Sequence, residues 1–146
     1  MSCSGIDLGA RKYGNARETR RMTQFRGLPI RIEIEAGEFV KGKDWQRHYK
    51  YAYGEIPNSH ALSDGDPVDV YIGPFGQGDS VTVVHQTHRD GTYDEDKVML
   101  GFASERDAVQ CYFDHGPEWG FGSAETMTFD QFVNGYLAAN RQEMKQ

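Results

Sequence analysis

Residues 29–35 read Pro-Ile-Arg-Ile-Glu-Ile-Glu. Ile30, Ile32 and Ile34 alternate with Arg31, Glu33 and Glu35, so one face is apolar and the other charged. A period of two is that of a half-buried strand, because successive side chains of extended backbone leave opposite faces. Outward from this stretch, a short hairpin through Ala36–Gly37 leads to Glu38–Lys41, and residues 49–56 alternate again. Residues 67–72, 80–86 and 97–102 read as further strands, rich in Val and other β-formers. Gly73–Pro74 stops the first of these, and Asp90–Gly91 is a hairpin signal between the last two. A short helix is predicted over residues 14–24. Two more come late: Ser104 caps one over 105–115, and Thr128 caps one over 128–140 with Phe132, Tyr136 and Leu137 on one stripe. Strands first and helices last predict an α+β domain, with the strands closing into a small barrel and the helices packed outside.

The chain has 146 residues, of which 38% are hydrophobic, enough for one core and not for two. The predicted organisation is a basic arm over 1–26 and one domain over 27–146. Residues 1–28 carry six basic and two acidic groups, whereas the whole chain has a net charge of −6. The arm reads as a solvated or surface-packed segment, with a phosphate-rich or acidic partner as its alternative. The acidic body argues against nucleic-acid binding. No apolar run reaches the length of a membrane span, and the first residues do not resemble a signal peptide. Two cysteines, Cys3 and Cys111, are too few for a disulfide framework. A cytoplasmic location is the resulting expectation.

The chemistry concentrates in Asp64-Gly65-Asp66-Pro67-Val68-Asp69-Val70. Three carboxylates within six residues, at a turn entering a strand, repel one another unless a cation compensates. Carboxylate oxygens are the hard ligands that magnesium and manganese prefer. A plain solvated turn explains this segment equally well on spacing alone. The second cluster, Asp90, Asp94, Glu95 and Asp96 followed by Lys97, lies one hairpin later. Two acidic groups and a lysine suit a site where divalent cations bridge the clusters and Lys97 holds a phosphate oxygen. The five histidines show no zinc spacing, and Gly73–Gly78 lacks the Lys-Ser/Thr ending of a P-loop.

Asp-Gly-Asp-Pro-Val-Asp-Val resembles the signature of the soluble inorganic pyrophosphatases, an Asp-x-Asp-Pro-x-Asp core followed by an apolar residue. Tyr53-Gly54 is similar to the family's upstream Tyr-Gly, and Asp90, Glu95 and Lys97 match its later acids and lysine, with Asp94 as an alternative to Glu95. Residues 30–43 resemble its early hairpin. Tyr71-Ile72-Gly73-Pro74 and the short chain look like the compact pyrophosphatase-like domains of phages and mobile elements. The resemblance covers roughly residues 27–115. It implies a five-stranded, OB-like barrel with two flanking C-terminal helices, and magnesium-dependent hydrolysis of pyrophosphate to two phosphates by a metal-activated water, with manganese as a substitute ion. By position Asp64, Asp66, Asp69, Asp90 and Glu95 look like metal ligands, and Asp66 also like the general base. Lys97, Arg31, Lys41, Tyr53 and Tyr112 look like phosphate binders. Phe113 stands where many members have a lysine, the early arginine has only Lys41 or Lys43 as counterpart, and Glu33 and Glu35 match the first-strand acid imperfectly. These departures motivate two alternatives: a phage-associated binding or assembly module, and a hydrolase of a diphosphate-containing nucleotide. Pyrophosphate or phosphate is the implied partner, and a homo-oligomer is left open.

Overall fold

A computed structural model describes residues 21–59 and 66–139. The strands are β1 (Arg21–Phe25), β2 (Leu28–Ile34), β3 (Phe39–Lys41), β4 (Gln46–His48), β5 (Ala52–Ile56), β6 (Val68–Ile72), β7 (Ser80–Thr87), β8 (Tyr93–Leu100) and β9 (Phe121–Thr128). Helix α1 spans Glu105–His115, and α2 begins at Phe129–Gln131 and runs on as a π-helical turn over Phe132–Leu137. Seven strands form one sheet in the order β9-β7-β8-β6-β5-β2-β1, and β3 pairs with β4 separately.

The fold is mixed α+β, but the expected five-stranded barrel is corrected on both counts. Seven strands share the sheet, and among the described residues β1 and β9 remain its two edges. The tight connection Arg26–Gly27 explains one extra strand. Both residues have positive φ, 50° and 86°. That two-residue turn folds Arg21–Phe25 back onto β2 from Phe25 opposite Leu28 to Arg21 opposite Ile32. The predicted helix therefore gives way to a strand over residues 21–24; its remainder lies outside the described residues.

All pairings in the large sheet are antiparallel except β6 with β8. The β7–β8 hairpin sends β8 into the gap between β7 and β6. Alternation then separates two apolar clusters. Ile30, Ile32, Ile56, Val68, Val70, Val83, Val98 and Phe132 pack on one face. Tyr49, Tyr71, Val84, Met99, Cys111 and Tyr112 pack on the other, under α1. Each fully buried aliphatic side chain contributes about 1.5–3 kcal/mol. Ser104 Oγ accepts from Asp107 N at 3.1 Å, so the predicted cap of α1 is observed. Thr128 and Gln131 form a reciprocal capping box at the start of α2.

Candidate active site

The parallel pairing sets Asp69 of β6 beside Lys97 of β8. Farther along the sheet, Asp69 lies opposite Glu55, and Glu55 opposite Arg31. Opposed residues share a face, so Arg31, Glu55, Asp69 and Lys97 form one row of charges across four strands. Lys97 Nζ lies 3.0 Å from Asp69 Oδ2 and 3.0 Å from Glu95 Oε2, and it donates to Tyr53 Oη at 3.2 Å. Arg31 pairs with Glu55 at the far end of the row. At about 4.8 Å per strand, three strand steps put Arg31 about 14 Å from Lys97. The structure thus brings Asp69, Glu95, Lys97 and Tyr53 together, whereas Arg31, on the same face, is paired with Glu55.

Only 12% of the Lys97 side chain is exposed, so its charge must be paired rather than solvated. Burial works against that charge, but the Tyr53 oxygen and the carboxylates of Asp69 and Glu95 outweigh it and hold the amine well above the ordinary lysine range. Burial also pushes the Glu95 carboxyl up, with Lys97 opposing and Asp69 adding to the shift. Enclosure, reinforced by the Asp69 charge, holds the Tyr53 phenol well above its usual range. Burial of Tyr112 raises its pKa to about 12. Both phenols are therefore neutral hydrogen-bond donors at ordinary pH.

Tyr112 reaches the cluster through Gln86, which the sequence reading did not select. Tyr112 Oη donates to Gln86 Oε1 at 3.0 Å, and Gln86 Nε2 donates to Asp94 Oδ2 at 3.0 Å and Glu95 Oε2 at 3.5 Å. The hairpin register, Gln86 opposite Glu95, is the signal that points to it, although a bulge near Thr87 obscures the count from the turn. Arg47 is the second omission. On the β3–β4 hairpin it opposes Val40, which packs against the tyrosine cluster, so it lies on that face of the hairpin with its side chain exposed. Its positive charge also bears on Tyr71 and Tyr112. Lys41, one residue from Val40, is exposed on the other face with Phe39.

Asp90 is placed elsewhere. Its exposed carboxylate accepts from Thr92 N at 2.9 Å and Thr92 Oγ1 at 2.6 Å, and these bonds, the hydroxyl first, lower its pKa. It closes the β7–β8 turn. Asp66 is exposed at the entry to β6, and Asp64 lies outside the described residues. Among the described residues no three His, Cys, Asp or Glu side chains form a ready cation cage. The donors at and next to the cluster, Asp66, Asp69, Asp94 and Glu95, nevertheless offer only oxygen, which fits a hard divalent ion such as magnesium.

A group of carboxylates, phenols and one enclosed lysine thus forms a polar cluster on this face of the sheet. The sequence matches the family described as inorganic pyrophosphatase over residues 10–136. The chain belongs to the inorganic pyrophosphatase family. No curated protein matches it. No helix among the described residues is long and apolar enough to cross a membrane.

Proposed function

We propose that the chain hydrolyses pyrophosphate to two phosphates, at the face of β6 and β8 where Asp69, Glu95, Lys97 and Tyr53 meet. The observation that carries this reading is the 3.0 Å contact of an enclosed, charged Lys97 with both Asp69 and Glu95, within a chain of this family. Asp66, Asp69 and Glu95, with Asp64 preceding them in sequence, would hold magnesium, which would supply compensation for the phosphate charge and a more acidic water.

The chain's own groups do the rest. Lys97 offers a fixed positive charge to phosphate oxygens in a partly dehydrated setting, where it acts more strongly than in water. Tyr53 accepts from Lys97 and keeps its own proton to donate. Tyr112 is aimed by Gln86. Arg47 adds a second cation from the β3–β4 hairpin, the forked donor that Lys41 does not provide. Asp66, exposed at the strand entry, is the base that takes the proton of the attacking water.

Phosphate release from pyrophosphate, assayed with and without magnesium, tests the reading. Activity should require the ion and fall by about 10²–10⁴-fold in Asp66→Asn. A substrate panel including nucleoside diphosphates should rank pyrophosphate first. Phosphate release that ignores both magnesium and Asp66→Asn refutes the proposal.

A further inference from the structure

Behind the site, on the opposite face of β8, His85 lies between two carboxylates. It opposes Asp96 across the β7–β8 ladder. Its Nδ1 is 2.6 Å from Asp96 Oδ1, and its Nε2 is 2.9 Å from Glu125 Oε2 of β9. Asp96 also accepts from Tyr93 Oη at 2.9 Å and from Tyr136 Oη, on the π-helical turn, at 2.6 Å. The groups facing the ring and its partner are thus Asp96 and Tyr93 from β8, Glu125 from β9 and Tyr136 from α2. A neutral imidazole has one N–H and one lone pair. With a carboxylate oxygen at each nitrogen, only the doubly protonated ring makes both contacts favourable.

Asp96 sits between Glu95 and Lys97 in sequence, and strand alternation sends its neighbours' side chains to the other face. Anchoring Asp96 from behind therefore fixes how deeply and at what angle Glu95 and Lys97 are presented to Asp69. We propose that His85 is a positioning residue: as an imidazolium it clamps β8 to β9 through Asp96 and Glu125, and so holds Glu95 and Lys97 in register with Asp69.

Burial disfavours the charged ring, but its hydrogen bonds to Asp96 and Glu125 and their charges outweigh that, and the net shift is upward. A raised pKa means that the clamp is complete below the ordinary histidine value and is released as pH rises through the ring's own, higher value. The side chain of Glu125 is 56% exposed, so releasing it does not open the core. The clamp does not depend on the proposed reaction; its effect on turnover does.

Ring ¹⁵N spectra of the full chain, titrated with pH, decide the matter. The midpoint should lie above about 6.5, with both nitrogens protonated below it. Glu125→Gln should lower it by about one unit, and the backbone amides of Glu95 and Lys97 should shift with the same midpoint. KM for pyrophosphate should rise across that transition, and at lower pH in Glu125→Gln. A midpoint at or below about 6.5 overturns the clamp, as do Glu95 and Lys97 amides that stay still through the ring's transition. Absence of hydrolysis at every pH refutes only the proposed reaction, because the ring and amide titrations still judge the clamp.

Discussion

Removing the Lys97 amine would leave Asp69 and Glu95 facing a common space without their counter-charge. Breaking an enclosed pair by deleting one member costs about 3–5 kcal/mol, because the remaining charges stay desolvated. Lys97→Met, close in length and without charge, should therefore lower the unfolding free energy by about that amount. Magnesium or manganese should restore more stability to Lys97→Met than to the wild type, since a cation can replace the missing charge. Denaturant titrations of both proteins with and without the ion check this. A variant as stable as the wild type, or one indifferent to the ion, contradicts it. In the sequence, Lys97 was legible from its place after an acidic run and before an apolar strand. Gln86 and Arg47 were not, because their importance lies in which strand opposes them, and an isolated polar residue carries no trace of its cross-strand partner.

At the scale of elements, the Tyr-Gly pair has a steric cause. A Cβ at Gly54 would lie 2.1 Å from the Arg31 carbonyl oxygen and 3.1 Å from Ile32 Cα. These are backbone atoms, so no rotamer change relieves the clash, and Gly54→Ala must push β2 away from β5. Forced overpacking typically costs about 1–3 kcal/mol, and a backbone clash belongs at the upper end. Urea unfolding should register that loss, and the Arg31–Glu55 pair, carried by the same two strands, should weaken with it. An unchanged transition midpoint would mean the strands approach less closely than described. The apolar strands around Gly54 were readable because burial on one face imposes strict alternation. Ile30 and Ile32 are buried, and residues 80–86 begin and end within one residue of β7. Besides the three-residue β4, whose side chains are all exposed, three elements escaped for an identifiable reason. β1 and β9 are edge strands with mostly exposed side chains, so no face imposed an apolar period on them. The first half of β8, Tyr93–Asp96, is acidic and reads as a turn, yet His85, Gln86 and Lys97 supply the partners that let carboxylates occupy a strand.

For the whole molecule, the two sheet faces carry histidines of opposite character, and together they shape stability against pH. On the α1 face, His115 is buried. Its Nδ1–H donates to the Cys111 carbonyl at 2.7 Å, and its Nε2 accepts from Lys50 N at 2.9 Å. That pair of contacts requires the neutral ring. Burial lowers the pKa, against weaker opposing effects of the Cys111 carbonyl and Asp114. As pH falls below the ordinary value of about 6.5, the unfolded chain takes up a proton that folded His115 refuses, so stability declines toward acid. His85, with its raised pKa, behaves in reverse: its stabilisation is present at low pH and fades as pH climbs through its folded value. The unfolding free energy should therefore form a dome, with His115 shaping the acid side above the range where carboxylates titrate, and His85 the alkaline side. Chemical denaturation across a pH series tests both limbs separately. His115→Gln should flatten the acid limb and leave the alkaline one, and Glu125→Gln should do the opposite. A stability that rises as pH falls from neutral, or a single variant that flattens both limbs, would show that the two faces do not titrate independently.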